Sequence, residues 1–348
     1  MKHKELFAFS VMVLAALAFF AVASANGKDD VGPYQYLTTV AVPGNLLAGF
    51  DISWVDSASD RYYLADRTNA SVDVIDAEHD KYLYSIHGFV GNQGSGKSGP
   101  DGVLVIHKSN ELWAGDGDST VKVVDLDDGP SAVPFSIYTG GHFRADELAY
   151  DPRDHMILIA NDRDSPPFIT FISTKTRTVA GHLSYPQATD GLEQPVWDRQ
   201  TRRFYLAVPA TTTNPLGEID EINPKTMLVT RVFPTTCNPA GLVLIPHRRL
   251  MTSCGDVVDT KTGAKVAKVT GVSADEIWFN PGDERVYFGH NPVYVVDAET
   301  YQVITAIAAG PTHSVAVDSE NNHIFVPVTG QGVKVYTDSE EEEGHGDK

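Results

Sequence analysis

Two stretches of the chain, RADELAYDP (144–152) and SADEIWFNP (273–281), each place an Asp-Glu pair at the head of an apolar run that ends in Asp-Pro or Asn-Pro. A carboxylate taken out of water needs a partner, so the recurrence of Asp146-Glu147 as Asp275-Glu276 points to some local compensation. One candidate is a divalent cation, because hard cations collect several oxygen ligands and carboxylates with amide carbonyls supply them. The other is structural: acids so placed accept hydrogen bonds from backbone N–H groups or pair with Arg67, Arg144 or Arg163. Residue types alone leave both open.

The elements that must hold these acids follow from internal repetition, which is sought before finer structure. The opening motif recurs seven times: GFDISWVD (49–56), GPDGVLVI (99–106), RADELAYD (144–151), LEQPVWD (192–198), NPAGLVLIP (238–246), SADEIWFN (273–280) and THSVAVD (312–318). Further short runs of β-branched and aromatic residues follow each opening, separated by Gly, Pro, Asp and Asn, which is the pattern of strands and turns. No amphipathic helix is predicted after the N-terminal segment. The last repeat lacks a fourth strand of its own, and YLTTVAVPG (36–44) reads like the fourth strand YQVITAIAAG (301–310) of the repeat before it. The prediction is an all-β, seven-bladed β-propeller with four antiparallel strands per blade, whose last blade is closed by the N-terminal strand. Closure removes an open sheet edge. In a propeller the first strand of each blade lines the central channel, so Asp51, Asp101, Asp146, Glu147, Glu193, Asp275, Glu276 and His313 should converge on one rim. Because successive strand residues point to opposite faces, one member of each pair should face the axis and its neighbour an adjoining blade.

The runs YYLADRTNASVDVIDAEHDKYL (62–83) and VYFGHNPVYVVDAETYQVITAI (286–307) resemble the YVTN or YncE-like propeller repeats of exported bacterial proteins. The chain departs from that family's Tyr-Val-Thr-Asn string, having YLADRTN, LWAGDGD and LIANDRD instead. Glu193 in GLEQPVWD is also similar to the Glu that opens a blade in gluconolactonase, regucalcin-like and organophosphatase propellers, where Glu, Asn and Asp from several blades hold a metal. That resemblance implies Glu193, Asn161 and Asp275 as a metal set, with Asp162 as a further donor; the rim position adds Asp146 to the set, and Asp51 and Asp101 as further rim acids. A metal held there would polarise an ester or lactone carbonyl and activate water. Similarity to virginiamycin-lyase propellers makes His313 a candidate base or ligand, and Glu147 and Glu276 join it as candidate catalytic groups.

The 348-residue chain begins with Lys2 and Lys4, an apolar run to Val22 and Ala23-Ser24-Ala25. This reads as a cleavable signal peptide over 1–25, followed by one propeller domain over 26–337 and an acidic, disordered tail over 338–348. The product is expected in the periplasm or medium. The formal charge of −19 disfavours nucleic acid and anionic membrane surfaces, and no later run is long and apolar enough to span a bilayer. A monomer is expected, with a small molecule or cation in the funnel and no protein partner marked by any motif. The cofactor expected is a divalent cation, Ca, Mn or Zn. No haem, nucleotide or quinone signature occurs: there is no C-x-x-C-H, and the glycine-rich loop 91–102 lacks the spacing and the following helix of a phosphate loop. The loop 208–218 is a candidate lid. Cys237 and Cys254, the only cysteines, fall at neighbouring strand ends of the fifth repeat, where a disulfide is feasible. Two functions remain open: a metal-dependent hydrolase, lactonase or lyase, and a non-catalytic YncE-like binding or scaffold propeller.

Overall fold

The computed structural model describes residues 34–94 and 96–338. The expected signal peptide, and the acidic tail beyond Asp338, lie outside them. Among the described residues there are seven four-stranded antiparallel sheets, six of them running in chain order from an inner to an outer strand and the seventh taking its outer strand from the N-terminal end of the described chain. The inner strands Ser53–Asp56, Val103–Ile106, Leu148–Asp151, Pro195–Asp198, Leu242–Ile245, Ile277–Asn280 and Ala316–Val317 stand side by side and close a ring. The seven-bladed propeller is therefore observed, with blades 1 to 7 named in that order.

Ring closure occurs as expected. Tyr34–Val40 is the outer strand of blade 7, paired with Gly332–Asp338 from Tyr34 opposite Asp338 to Val40 opposite Val333. Asp338, assigned from sequence to a disordered tail, is thus the last residue of a strand. It also pairs with Arg285 at 3.3 Å.

The recurring Asp at strand ends has a local cause. Asp66, Asp76, Asp151, Asp198 and Asp297 each accept backbone N–H bonds from residues two and three positions on, which sets the hairpin turn. The second and third strands carry the core. Tyr62, Leu64 and Ile75 of blade 1 pack against Phe325, Val333 and Val335 of blade 7, with Tyr62 stacked on Phe325 at 4.8 Å. Each large apolar side chain buried in this way contributes about 1.5–3 kcal/mol. Similar apolar layers between other neighbouring blades hold the inner strands, and hence the rim acids, in fixed relation.

Cys237 and Cys254 form the disulfide, joining the entry to blade 5 with the end of its second strand at a Cα–Cα distance of 6.0 Å. No helix among the described residues is long and apolar enough to cross a membrane.

Candidate functional site

The rim acids occupy one repeated backbone position. The N–H groups of Asp51, Asp101, Asp146 and Glu193 bond to the carbonyls of Ala65, Gly115, Ala160 and Ala207, all at the same point in the second strand of their blades, over 2.8–3.0 Å. The following residues, Ile52, Gly102, Glu147, Gln194 and Glu276, accept the return bond from the second strand. Two stacked layers result. Asp51, Asp146, Glu193 and Asp275 line an upper cavity of about 240 Å³, which Arg144, Arg163 and His313 also line. The layer below faces a larger cavity, and Glu147 reaches both.

This differs from the expected arrangement of one pair member on the axis and one against a neighbour. The pairs precede the regular strands that start at Leu148 and Ile277, so simple alternation does not govern them. Glu276 does both things. It lines the lower cavity, and its Oε2 accepts from the Ser314 hydroxyl and, at 3.4 Å, from the Val315 N–H of blade 7. Glycine is required where blades converge: a Cβ on Gly102 would lie 2.7 Å from the Asp146 carbonyl oxygen and the Glu147 Cα.

Arginines compensate one side of the rim. Oxygens of Asp51, Asp101 and Asp146 come within 4.8 Å of one another, but two guanidinium groups stand among them. Arg67 pairs with Asp51 at 2.7 Å and donates from Nε to Asp101 Oδ1 at 2.9 Å. Arg144 pairs with Asp146 at 2.6 Å and forms a two-pronged bond to Asp162, with Arg163 on Asp162 at 2.9 Å. The arginine pairing weighed for these acids is therefore present at Asp51, Asp101, Asp146 and Asp162. Asn161 is drawn into a separate network. Its amide nitrogen donates to Thr139 at 2.8 Å and its oxygen accepts from Thr170 at 2.9 Å, and it lines neither cavity. His313 stacks on Phe50 at 4.6 Å and turns Nε2 toward Asp51 at 3.7 Å.

The other side has no direct pairing. Among the described residues, no hydrogen bond or ion pair engages the carboxyl groups of Glu193 and Asp275, and the buried Glu147 Oε2 has no hydrogen-bond partner. Asp275 keeps contact with the water of the funnel, whereas Glu147 is 6% exposed. Proton affinities follow this division only at Asp51, because burial pushes Asp101 and Asp146 well up despite Arg67 and Arg144. Burial works to raise Asp51, but Arg67 and His313 outweigh it and hold the carboxyl at about 2. Burial pushes Glu147 far up, with the charges of Asp146 and Glu193 adding to the effect. Burial and then Asp275 push Glu193 up to about 8, and burial and Asp51 raise Asp275. His313 is raised: burial opposes its charge, but the Asp51 carboxylate prevails.

The candidate lid, 208–218, is tied down beside blade 4. Thr211 bridges to Ala188, and Thr211 and Asn214 donate to Glu218. The glycine-rich loop is pinned by a Gly91–Gly99 bridge and lies against the funnel, with Gly96 O accepting from the Arg144 N–H. The feature that the sequence reading missed is the lower cavity, of about 450 Å³. Its signal was a Trp in three of the seven inner-strand motifs, Trp54, Trp197 and Trp278.

No family model matches the chain, and no curated protein matches it. Among solved structures it is similar to hydrazine synthase of Kuenenia stuttgartiensis, with a TM-score of 0.67 and 13% sequence identity over 86% of this chain and 98% of that one. With 1493 solved chains matching, the architecture is too widespread to specify an activity. At this identity the likeness carries the propeller and not the narrower families expected from the repeats.

Proposed function

We propose that this chain is a ligand-binding propeller whose upper funnel holds a divalent cation, with Glu147, Glu193 and Asp275 as carboxylate donors. One observation supports the reading above others: these three acids from three blades line one cavity with no ion pair to any of them among the described residues, while the acids opposite are paired with arginines. An all-oxygen donor set favours calcium or manganese over zinc. Asp146 and Asn161 stand outside this donor set because Arg144, Thr139 and Thr170 already engage them. Export to an oxidising compartment accords with the disulfide.

The test is thermal melting after chelation and after adding back calcium, manganese or zinc. A cation bound only by the folded state stabilises by roughly 2.7 kcal/mol at a hundredfold excess over Kd. Glu193→Gln and Asp275→Asn should abolish the rise. Melting that ignores chelator and all three metals, with no metal in the native preparation, would leave a non-catalytic scaffold propeller. A hydrolase or lactonase reading draws on the position of Arg163 and His313 on the same cavity wall, where an anionic or carbonyl substrate would meet them. Turnover of esters or lactones that stops on chelation would establish it. Elimination products would indicate a lyase.

A further inference from the structure

The lower cavity lies along the inner strands beyond the acid layers. Trp54, Tyr150, Val196, Leu244 and Trp278 are among its walls. Trp54 of blade 1 meets Trp278 of blade 6 edge to face at 5.3 Å. They come together across blade 7, whose inner strand Ala316–Val317 has only two residues. The volume of about 450 Å³ falls within the roughly 300–1,000 Å³ of small-molecule sites. At its acid end stand Glu147 and Glu276, 6% and 1% exposed, and Glu147 Oε2 is unpartnered.

We propose that this cavity is a second binding site, for a hydrophobic organic ammonium ion whose charged head docks between Glu147 and Glu276 and whose apolar body lies among the tryptophans. The assignment follows from what each alternative would leave unsatisfied. A neutral apolar guest would leave the already buried Glu147 Oε2 without a partner, so its desolvation would stay uncompensated. An anion would face two carboxyl groups and no cation. A divalent metal needs about six or more oxygen ligands, and these walls are apolar apart from Glu147, Gln194 and Glu276. An ammonium supplies up to three donors to the carboxyls and is attracted by indole faces. The site does not require the metal above it, although Glu147 borders both cavities.

The experiment titrates hexylamine, hexanol and hexanoate into the full exported chain. Binding is read from intrinsic tryptophan fluorescence, since three of the four tryptophans line the cavity. Hexylammonium should give a saturable change with a Kd at least about tenfold below that of hexanol, as a charge-assisted bond implies. Hexanoate should bind most weakly. Glu147→Gln should collapse the amine's advantage while leaving hexanol binding in place, and Leu244→Trp, which fills the cavity, should weaken both. Repeating the titration in EDTA removes any metal and should leave the amine's advantage over hexanol in place, so failure of the metal reading is distinguishable from failure of this one. The inference is overturned by no saturable response up to millimolar amine, by equal affinity for hexanol and hexylamine, or by an amine preference that survives both Glu147→Gln and Glu276→Gln.

Discussion

Glu193→Gln isolates the energetic consequence of a buried acid with no ion pair among the described residues. The folded chain raises this carboxyl from an ordinary 4.5 to about 8, through burial first and the Asp275 charge second. An acid whose folded value is raised leaves the native state holding a proton that the unfolded chain has released. Its contribution to stability is complete below about pH 4.5 and is lost as pH rises toward 8. By linkage that loss reaches roughly 3 kcal/mol at pH 7. Water in the open funnel reduces it, so about 1–2 kcal/mol is expected. Glutamine keeps the shape and removes the ionisation. The variant should match the wild type near pH 4.5 and exceed it near pH 7.5, with a melting temperature roughly 2–4 °C higher in metal-free buffer. The assay is circular-dichroism melting at one scan rate across pH 4.5–8.5, with EDTA present. With calcium the order should reverse, because the wild type gains bound metal and releases protons in binding it. A variant less stable by the same amount at pH 5 and pH 7.5 would refute the reasoning, since Glu193 would then be a hydrogen-bonded structural group.

Arg144→Met should be strongly destabilising, by about 3–5 kcal/mol in urea unfolding, because Asp146 and Asp162 lose the guanidinium that compensates them. Adding Asp146→Asn should recover part of the loss, and a double variant no more stable than the single would contradict the pairing. Reducing the Cys237–Cys254 bond, which spans 17 residues, should lower stability by about 3 kcal/mol in the chain-entropy account. Unfolding midpoints with and without reductant measure this, and a midpoint unmoved by complete reduction would count against it.

The order of strands, the number of blades and the closure by the N-terminal strand were all legible in the sequence. A propeller is built from local hairpins, and each leaves its own period-two pattern and turn residues. The shared height of Asp51, Asp101, Asp146 and Glu193 was legible for the same reason: each sits at one point of a repeated unit. The pairing of those acids was not, because Arg67 joins Asp51 of its own blade to Asp101 of the next, and nothing in the local pattern says which blade's acid it reaches. Sequence similarity grouped Asn161 with the rim, yet Thr139 and Thr170 hold it aside, and only side-chain geometry distinguishes those positions. The lower cavity is likewise tertiary. Trp54 and Trp278 are separated by most of the chain and meet because a closed ring brings blades 1 and 6 together past the short inner strand of blade 7. Local pattern determined what each blade would be. Which charges are compensated, and which cavity remains between the blades, depended on distances that exist only once the ring is closed.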